Sequence, residues 1–290
     1  MKNIVIIGQG QLGLEVTRQH LQSNDMIYSV SRSHRPSLSA SHHSLSTDLD
    51  TLRSAIALPL TIDCLYYFAP PSETEQTDQR MHTFLSLHQR LSIDHIIYIS
   101  TSGVYGDSQG QWLTELSAVK PQALRAKRRL DAEHQLSRFC QTRSSKLTIL
   151  RCAAIYSSKT VSRQRIHDNN KPLINASQAP YTNRIHLHDL THVCLQAMLN
   201  PPVDKEIYNV SDGQPSTTTE HAWLLADLAG LERNTEIDLA DAGQYYSPAY
   251  LSYLAESKRL DISKLKNSLL AGFTFKNTAE GIKECLQQSV

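Results

Sequence analysis

The sequence predicts an α/β fold built on a doubly wound parallel sheet, with a smaller C-terminal lobe interleaved with the sheet. Short runs of apolar, mostly β-branched residues alternate with segments whose apolar residues recur every three or four positions. An unbroken apolar run is typical of a strand buried on both faces, and the alternation of such strands with helices favours a parallel sheet. The first run also ends in a glycine-rich turn, and no internal repeat or clean linker divides the chain.

The bulk composition excludes several classes of protein. The 290 residues carry a formal net charge of +1, so there is no electrostatic case for binding nucleic acid or an anionic membrane. No apolar run approaches the length of a membrane span, and Ile4–Ile7 is too short for the core of a signal peptide. The five cysteines form no Cys-x-x-Cys pair, which predicts buried free thiols, a cytoplasmic protein and no metal site.

The first strand and the turn after it predict a dinucleotide site. Ile4–Ile7 leads into a Gly-x-Gly-x-x-Gly loop, and a helical pattern follows. In such a loop the first glycine permits the tight turn, the second lets the backbone approach a pyrophosphate, and the third lets the helix pack closely on the strand. The pyrophosphate then meets the free N–H groups at the helix N-terminus. The alternative is an ordinary βα turn with nothing bound. The predicted cofactor-binding residues of the loop are Gly8, Gln9, Gly10, Gln11, Leu12 and Gly13.

The end of the second strand predicts which cofactor is bound. Met26–Ser31 has the strand pattern, and Ser31 is followed by Arg32, where NAD-preferring sites usually place an acid. A guanidinium with small hydroxyl residues suits a 2′-phosphate, so we expect NADP, with NAD less favoured. The alternative is that Arg32 and Arg35 are solvated loop charges. Pro36–Thr47 is rich in Ser and His and is predicted to be a loop.

The next two segments are predicted to border the nucleotide. Asp48 is expected to cap a short helix and, as in related nucleotide sites, to meet the adenine edge. Ile62–Phe68 is predicted to be a central strand that stops at Ala69 and Pro70, because proline cannot continue it. The carboxyl end of such a strand should border the nucleotide at the switch point of the sheet. A helix with Met81 on its apolar stripe is predicted to follow.

Two further strands and a long helix complete the predicted sheet. Ile93–Ser100 is predicted to be a buried strand that delivers Ser100–Asp107 to the same sheet edge. Lys146–Cys152 is predicted to be another, running on to Tyr156. Between them, Gln122–Cys140 is predicted to be a basic amphipathic helix. The apolar residues expected on that helix are Leu124, Leu130, Leu136 and Phe139.

The second half of the chain is predicted to carry the substrate side. Ser157–Pro180 is polar and basic and is expected to be mobile. Thr182–Leu190 is expected to return to the sheet and to start a helix that runs through Asn200, and Glu206–Ser211 to be the last sheet strand. The remaining predictions are a helix near Glu220–Ala229, an irregular stretch at Tyr245–Tyr253 and a terminal helix from Thr278. The predicted domains are a nucleotide-binding domain of residues 1–156 and a substrate-side lobe of residues 157–290, from which residues 182–211 return to the sheet.

A set of motifs stands in a fixed order along the chain. They are Gly8-x-Gly10-x-x-Gly13, Ile99–Gly106, Leu150-Arg151 with Ile155-Tyr156, Arg184-Ile185-His186 with Asp189-Leu190, and Tyr208-Asn209-Val210. In this order they resemble the NAD-dependent epimerase/dehydratase family, the extended short-chain dehydrogenases/reductases. The resemblance covers almost the whole chain and is closest to an atypical branch of poorly defined activity. It implies a Rossmann-like fold, an NAD(P) cofactor, and oxidoreductase or epimerase chemistry on a sugar nucleotide or another small polar substrate.

The resemblance also implies catalytic positions, and there the chain departs from the family. Thr101 matches the family's catalytic Ser or Thr, and counting back from Glu133 places Arg125 at the family's tyrosine and Arg129 at its lysine. Arginine has no accessible neutral form and cannot shuttle the proton that a phenol carries. Arg125 could still polarise a carbonyl or clamp an anion, and Arg129 could grip a ribose or phosphate. The alternative for both is a solvated helix face.

Other groups could in principle supply the missing acid and base. Tyr105 and Tyr156 fall near sheet carboxyl ends, and His186 and His188 have a suitable pKa range. In the family the two tyrosine positions are usually non-catalytic, so we expect none of the four to replace the tyrosine. Ser100 is also predicted to bind the cofactor. The predicted substrate-binding residues are Ser102, Tyr105, Tyr156, Asn183 and Arg184.

The sequence leaves three functions open. The favoured one is an NADP-dependent oxidoreductase or epimerase in which Thr101 bonds the reacting oxygen, Arg125 stabilises its developing charge, and Arg129 orients the nicotinamide ribose. The second is a nucleotide-binding protein without turnover, for example a redox-state sensor that acts through a partner. The third is a scaffold that binds no ligand, which would make the glycine loop, Arg32 and Asp48 coincidental. The family resemblance also makes a homodimer an expectation.

Overall fold

The computed structural model describes residues 1–73, 75–270 and 272–288. By their internal contacts the residues divide into two compact units. Unit 1 comprises Met1–Val104, Leu124–Arg151 and Thr191–Tyr208, and unit 2 comprises Tyr105–Ala123, Cys152–Leu190 and Asn209–Val290. The predicted domain boundary at residue 156 stays a prediction.

Strands and helices alternate through the first part of the chain, as predicted. The strands are β1 (Asn3–Ile7), β2 (Met26–Ser31), β3 (His42–Ser46), β4 (Thr61–Tyr67), β5 (Ser92–Thr101), β6 (Trp112–Leu113), β7 (Lys146–Cys152), β8 (Ala154–Tyr156), β9 (Leu173–Ile174), β10 (Tyr181–Thr182), β11 (Arg184–His186), β12 (Lys205–Val210), β13 (Ser216–Thr217), β14 (Glu236–Ile237) and β15 (Arg259–Leu260). The α-helices are α1 (Gln11–His20), α2 (Gln79–Leu87), α3 (Leu124–Arg143), α4 (Arg163–Asp168), α5 (Leu187–Leu199), α6 (Thr218–Ala229), α7 (Pro248–Leu254), α8 (Ser263–Ser268) and α9 (Thr278–Gln288). Short 3₁₀ turns cover Ser102–Tyr105 and Leu239–Gln244.

Seven strands form the main sheet, in the order β12-β7-β5-β4-β1-β2-β3. β1 pairs in parallel with β2 on one side and with β4 on the other, and the register sets Ile7 opposite both Val30 and Tyr67. β2 also pairs in parallel with β3, and β4 with β5. The strand order therefore reverses between β1 and β4, which makes their carboxyl ends the switch point where ligands bind in open α/β sheets. The predicted doubly wound parallel sheet is confirmed.

The apolar runs form the central strands because both faces of the sheet are covered. Ile4, Val5, Ile6 and Ile7 are all 0% exposed, and Phe84 of α2 packs in the same core as Val5 and Ile7. Each such side chain contributes about 1.5–3 kcal/mol when it leaves water. Burial of the β-branched run therefore fixes β1 in the middle of the sheet.

One strand was not expected, and a predicted helix is absent. β3 lies within Pro36–Thr47, where the prediction of a loop is wrong. β3 is an edge strand that pairs with β2 alone, and His42 is buried with its Nε2 2.8 Å from Ser29 Oγ, so polar side chains suffice there. The helix predicted at Asp48 is also wrong: the Asp50 N–H donates to Asp48 Oδ1 at 3.0 Å and Thr51 N–H donates to the Asp48 carbonyl at 3.3 Å, which forms a turn.

The helices of unit 1 match their predicted positions, and the buried face of α3 matches the expected apolar stripe in part. Leu136 is buried and Phe139 packs on the same core, but Leu124 is 51% exposed. Arg128 and Glu133 are buried as well, so the predicted stripe misses two charged residues that lie inward.

α2 buries Met81 as predicted. It begins at Gln79 because the Asp78 side chain caps it by accepting from the Met81 N–H at 3.1 Å.

Unit 2 is built from short strand pairs and helices. β8 pairs in parallel with β11, β9 with β14 and β6 with β15, while β10 and β13 are antiparallel. Of residues 182–211, β12 lies in the main sheet and β11 pairs with β8 outside it. The prediction of an irregular stretch at Tyr245–Tyr253 is wrong, because α7 lies there with Ser247 as its N-cap and Pro248 in its first turn.

All five cysteines are buried thiols outside any disulfide, as predicted. Among the described residues, no helix is both long enough and apolar enough to cross a membrane.

Candidate functional site

The glycine loop has the conformation that the sequence predicts for its first and third glycines. Gly8 has φ +101°, and a Cβ there would come within 2.5 Å of the Ala69 backbone nitrogen. A Cβ on Gly13 would overlap the carbonyl oxygen of Gly8. These two glycines are therefore required for the turn between β1 and α1, and for the close packing of α1 on it.

The second glycine differs from the other two. Gly10 is the N-cap of α1, with φ −71° and ψ −158°, and a Cβ there would meet no atom within 4 Å. Nothing in the protein itself therefore requires glycine at this position. The open space lies at the N-terminus of a ten-residue helix, where unpaired backbone N–H groups and the helix dipole favour an anion.

Gln9 adds a polar group that the described part of the protein leaves unsatisfied. It is 3% exposed, and its Oε1 has no hydrogen-bond partner among the described residues. A buried carbonyl oxygen without a partner costs about 1–3 kcal/mol. A ligand that donates a hydrogen bond at this point would remove that cost.

A cavity of about 250 Å³ opens beside the loop, and all of its lining lies in unit 1. Eight of the twelve predicted cofactor-binding residues line it: Gly8, Gln9, Gly10, Ser31, Arg32, Asp48, Ala69 and Pro70. Gln11, Leu12 and Gly13 follow in α1, where Gln11 is exposed and Leu12 and Gly13 are buried. The lining also includes Arg80, which was not predicted, and Arg35, for which a solvated loop charge was the alternative.

Arg80 joins two walls of this glycine-loop cavity. Its Nε and Nη2 donate to the two carboxylate oxygens of Asp50 at 2.5 Å each, and its Nη1 donates to the carbonyls of Pro70 at 2.8 Å and Pro71 at 3.3 Å. The guanidinium holds the pKa of Asp50 below its ordinary value. The turn after β3 and the turn after β4 are thus fixed to the start of α2. No local sequence pattern could have predicted this, because Asp50 and Arg80 are thirty positions apart.

The end of β2 places Arg32 at the cavity and engages the Ser31 side chain locally. Arg32 is exposed at the cavity, and its backbone carbonyl accepts from Ser46 Oγ at 3.2 Å. Ser31 Oγ donates to the Ser33 carbonyl at 2.7 Å. Asp48 is exposed and also lines the cavity.

The structure places Ser100 in a buried polar cluster away from the residues that line the glycine-loop cavity. Its Oγ donates to Glu133 Oε1 at 2.5 Å, and Arg151 donates to the same carboxylate through Nη2 at 2.9 Å and Nε at 3.3 Å. Glu133 is 3% exposed and Arg151 5%. This buried ion pair fixes α3 against β5 and β7, so Ser100 supports the helix that carries Arg125 and Arg129.

The three predicted catalytic residues lie in unit 1 in different environments. Thr101 Oγ1 accepts from the Gly103 N–H at 3.1 Å, at the start of the turn Ser102–Tyr105. Arg129 is half-buried and donates through Nη1 to the Ile99 carbonyl at 2.8 Å, so its guanidinium is fixed beside the end of β5. Arg125 is exposed, one turn earlier on α3.

Among the predicted substrate-binding residues of unit 2, three are engaged within the unit. The Tyr105 hydroxyl donates to Asn209 Oδ1 at 2.7 Å. Asn183 donates to the Lys258 carbonyl at 3.0 Å and accepts from the Leu260 N–H at 2.9 Å. Tyr156 is 6% exposed, with its hydroxyl packed against Gly281 of α9.

Arg184 lies in a different setting, at a second cavity of about 430 Å³ in unit 2. The residues around it include Lys171, His221, Tyr246 and Tyr250. None of these four was predicted as a site residue. The basic segment before residue 180 and the Tyr-rich stretch after residue 244 were visible as patterns, but only the fold brings them to Arg184.

His186, Glu284 and Cys285 form a compact buried group in unit 2. His186 Nε2 lies 3.2 Å from Glu284 Oε2 and 3.3 Å from Cys285 Sγ. The backbone N–H of His188 donates to His186 Nδ1 at 3.2 Å, so the neutral ring carries its proton on Nε2 and points it at the carboxylate and sulfur. A metal ion would need Nε2 without a proton, so this group does not suit a metal. Its hydrogen bonds instead support β11.

Comparison of the fold with solved structures finds the same architecture over the whole chain. A functionally unknown conserved protein from Silicibacter pomeroyi superposes with a TM-score of 0.79 at 22% identity, covering 100% of this chain and 99% of that one. UDP-glucuronic acid 4-epimerase from Bacillus cereus, in complex with NAD, gives 0.76 at 16% identity, covering 99% and 96%. dTDP-glucose 4,6-dehydratase from Bacillus anthracis, in complex with NAD, gives 0.76 at 15% identity, covering 99% and 96%. At these identities the likeness shows the fold alone.

Comparison by sequence finds no significant match among curated proteins. The model of one protein family does match, over residues 4–211, which include the glycine loop, the switch point of the main sheet and the Thr101 turn. This match covers well over half of the 290 residues. The chain belongs to the NAD dependent epimerase/dehydratase family.

Proposed function

We propose that the chain binds NADP in the glycine-loop cavity and acts as an oxidoreductase or epimerase on a sugar nucleotide or a similarly polar carbonyl or hydroxyl compound. The observation that carries the proposal is the contrast within the glycine loop. Gly8 and Gly13 are required by the protein's own packing, but among the described residues no atom lies within 4 Å of a Cβ built on Gly10. A pyrophosphate at the N-terminus of α1 explains why that space is open.

The residues around the cavity fit the rest of a dinucleotide. Gln9 Oε1 offers a buried acceptor without a partner, and Arg32 and Arg35 supply positive charge beyond the end of β2. Asp48 is the only acid among the lining residues, against Arg32, Arg35 and Arg80, and Asp50, which does not line the cavity, is paired with Arg80. This charge distribution supports NADP over NAD.

A bound nicotinamide cofactor supplies hydride transfer. The chain's own part is to bind and orient the substrate and to handle a proton. Thr101 accepts the Gly103 N–H and can donate its own hydroxyl proton to a substrate oxygen. Arg129, held by the Ile99 carbonyl, has further N–H groups for a ribose or phosphate oxygen. Arg125 would stabilise negative charge on the reacting oxygen and would not exchange a proton with it.

The cofactor preference is tested by titrating the protein with NADPH and NADH while following nicotinamide fluorescence. Arg32→Glu should weaken NADPH binding about tenfold to a hundredfold, as expected for loss of a charged hydrogen bond to phosphate, and should leave NADH binding intact or improve it. Arg53→Glu is a matched control, since it reverses the charge of another exposed arginine that does not line the cavity. Equal loss of NADPH and NADH binding in Arg32→Glu would contradict a 2′-phosphate contact.

A second candidate function is a nucleotide-binding redox sensor without turnover. It is favoured by the absence of a titratable group at position 125 and by the packing of Tyr105 and Tyr156 within unit 2. The two functions separate when the NADPH complex is incubated with sugar nucleotides and carbonyl compounds, followed by nicotinamide absorbance and product analysis. Oxidation of NADPH or epimerised product supports the enzyme, and an intact cofactor with unchanged substrates supports the sensor.

A further inference from the structure

The second cavity, in unit 2, is built separately from the glycine-loop cavity. It has a volume of about 430 Å³ and draws all of its lining from unit 2, mainly from the chain around β9 and from α6 and α7. No Asp or Glu is among the lining residues, whereas Arg184 and Lys171 are. The cavity therefore has a positive character that comes from its own lining.

Arg184 is the main cation. Its Nη1 donates to Ser216 Oγ at 3.3 Å, and no carboxylate forms an ion pair with it among the described residues. Burial lowers the pKa of its guanidinium, with Tyr253 and the Asp212 carboxylate acting against that effect. A guanidinium withdrawn from water without a bonded counter-ion is stabilised by an anion that enters the cavity.

Two polar atoms at the cavity point independently to a ligand. His221 Nδ1 and Thr218 Oγ1 are both buried, and neither has a hydrogen-bond partner among the described residues. Burial and the neighbouring Arg184 lower the pKa of His221 well below its ordinary value, so the imidazole is neutral and can donate or accept one bond at Nδ1. Leaving two such atoms unpaired is unfavourable in a native protein, and a bound ligand would satisfy them.

The cavity lining also includes an aromatic cluster. The rings of Tyr246 and Tyr250 stack with their centroids 4.6 Å apart, and Tyr253 lies next to Tyr250 at 5.8 Å. Burial raises the pKa of Tyr250 to about 12, so the Tyr250 hydroxyl stays neutral at physiological pH. Neutral tyrosine faces bind flat rings by stacking.

We propose that this cavity binds a substrate composed of a planar ring with one attached anionic group, a carboxylate or a phosphate. The anion would contact Arg184 and Lys171, His221 and Thr218 would bond its polar substituents, and the ring would pack on Tyr246 and Tyr250. This inference rests on the proposed function, because it names the class of substrate, but the cavity and the cofactor site lie in different units and can be tested apart.

The probes are 4-hydroxybenzoate and phenyl phosphate, which place the two anions on the same ring, with benzamide as an uncharged ring and inorganic phosphate as an anion without a ring. Binding is measured by calorimetry on the full chain, with and without NADPH. Either ring anion should bind at least tenfold more tightly than benzamide and inorganic phosphate. The relative affinity of the two ring anions then distinguishes carboxylate from phosphate. Equal binding of all four, or of none, would overturn the inference.

Variants locate the site. Arg184→Gln should weaken binding of the ring anions about tenfold to a hundredfold, the effect of losing a charged hydrogen bond. Tyr250→Leu should weaken it about twofold to tenfold by removing the stacking partner. The matched controls are Arg165→Gln and Tyr245→Leu, because both residues are exposed in unit 2 and neither lines the cavity. Wild-type affinity in Arg184→Gln or Tyr250→Leu would overturn the assignment to this cavity.

Two readouts keep the tests distinct. Thermal unfolding of each variant shows whether it is folded, and NADPH titration reports the cofactor site independently of the ring anions. NADPH binding without ring-anion binding overturns this inference and leaves the proposed function standing. Ring-anion binding that depends on Arg184, without NADPH binding, supports the cavity and contradicts the proposed cofactor.

Discussion

Replacing Gly10 with alanine should remove cofactor binding and leave the fold intact. A Cβ at this position meets no atom within 4 Å, and its φ of −71° is allowed for any L-residue. The free energy of unfolding should therefore change little, or rise by about 0.4–1 kcal/mol because the unfolded chain loses freedom. The added methyl would instead fill the space at the N-terminus of α1, where a pyrophosphate must approach the backbone.

The other two loop glycines should behave in the opposite way. Gly8→Ala places a side chain at φ +101° and 2.5 Å from the Ala69 backbone nitrogen. The backbone conformation costs about 1–3 kcal/mol, and the overlap with backbone atoms costs about 1–3 kcal/mol more. Gly13→Ala meets the Gly8 carbonyl and carries a similar overlap cost. Either loss is a large part of a total stability of about 5–15 kcal/mol.

The assay combines urea unfolding with NADPH titration for each variant. Gly243→Ala is the control, since a Cβ there also meets no atom within 4 Å and Gly243 lies in unit 2. Gly10→Ala and Gly243→Ala should unfold like the wild type. Only Gly10→Ala should lose NADPH affinity, by about tenfold for each 1.4 kcal/mol of binding free energy that is lost. Wild-type NADPH affinity in Gly10→Ala would refute the assignment of the pyrophosphate to this loop. Strong destabilisation of Gly10→Ala would refute the packing argument.

Three further perturbations test other parts of the structure. Arg80→Gln should weaken NADPH binding about tenfold in the same titration, because a charged hydrogen bond that fixes two cavity walls is lost. Asp50→Asn should weaken NADPH binding to a similar degree, and the variant with both changes should bind NADPH no more weakly than either single variant. Glu133→Gln leaves Arg151 buried without its counter-charge and should lower the free energy of unfolding in urea by about 3–5 kcal/mol; an unchanged value would contradict the ion pair. Burial lowers the pKa of His95 to about 4 from 6.5. Between these two pH values the unfolded chain binds more protons than the folded protein, so the free energy of unfolding falls on acidification from pH 6.5 to pH 4. His95→Gln should remove up to about 3 kcal/mol of that fall, as measured by urea unfolding across this range.

Much of the main sheet could be predicted from the sequence, because burial on both faces demands an unbroken apolar run. Ile4–Ile7 carries that requirement in its own composition, and it forms β1 between β2 and β4. β3 carries no such requirement. It sits at an edge with one apolar residue, Leu45, and its stability comes from pairing with β2 and from His42 inside unit 1. Edge strands of this kind are fixed by their neighbours and have no pattern of their own.

The site follows the same division between local and long-range causes. The positive φ of Gly8 and the contact of Gly13 with the Gly8 carbonyl arise within the loop itself, so a short motif predicts them. The contact between Arg80 and Asp50 depends on the start of α2 and the turn after β3, which the sheet brings together. The bond from the Ser100 side chain to the buried Glu133 is another long-range contact that the strand end does not reveal, and the cofactor contact of Ser100 stays a prediction.

The most direct test of the central claim is a fluorescence titration of the purified wild-type protein with NADPH and, separately, with NADH. Saturable binding of NADPH that is tighter than binding of NADH is the expected result, since Arg32 and Arg35 line the glycine-loop cavity and Asp50 is paired with Arg80. Tighter binding of NADH would overturn the choice of NADP and leave the dinucleotide site standing. Binding of neither nucleotide would contradict the claim that this cavity holds a nicotinamide cofactor, and with it the proposed activity.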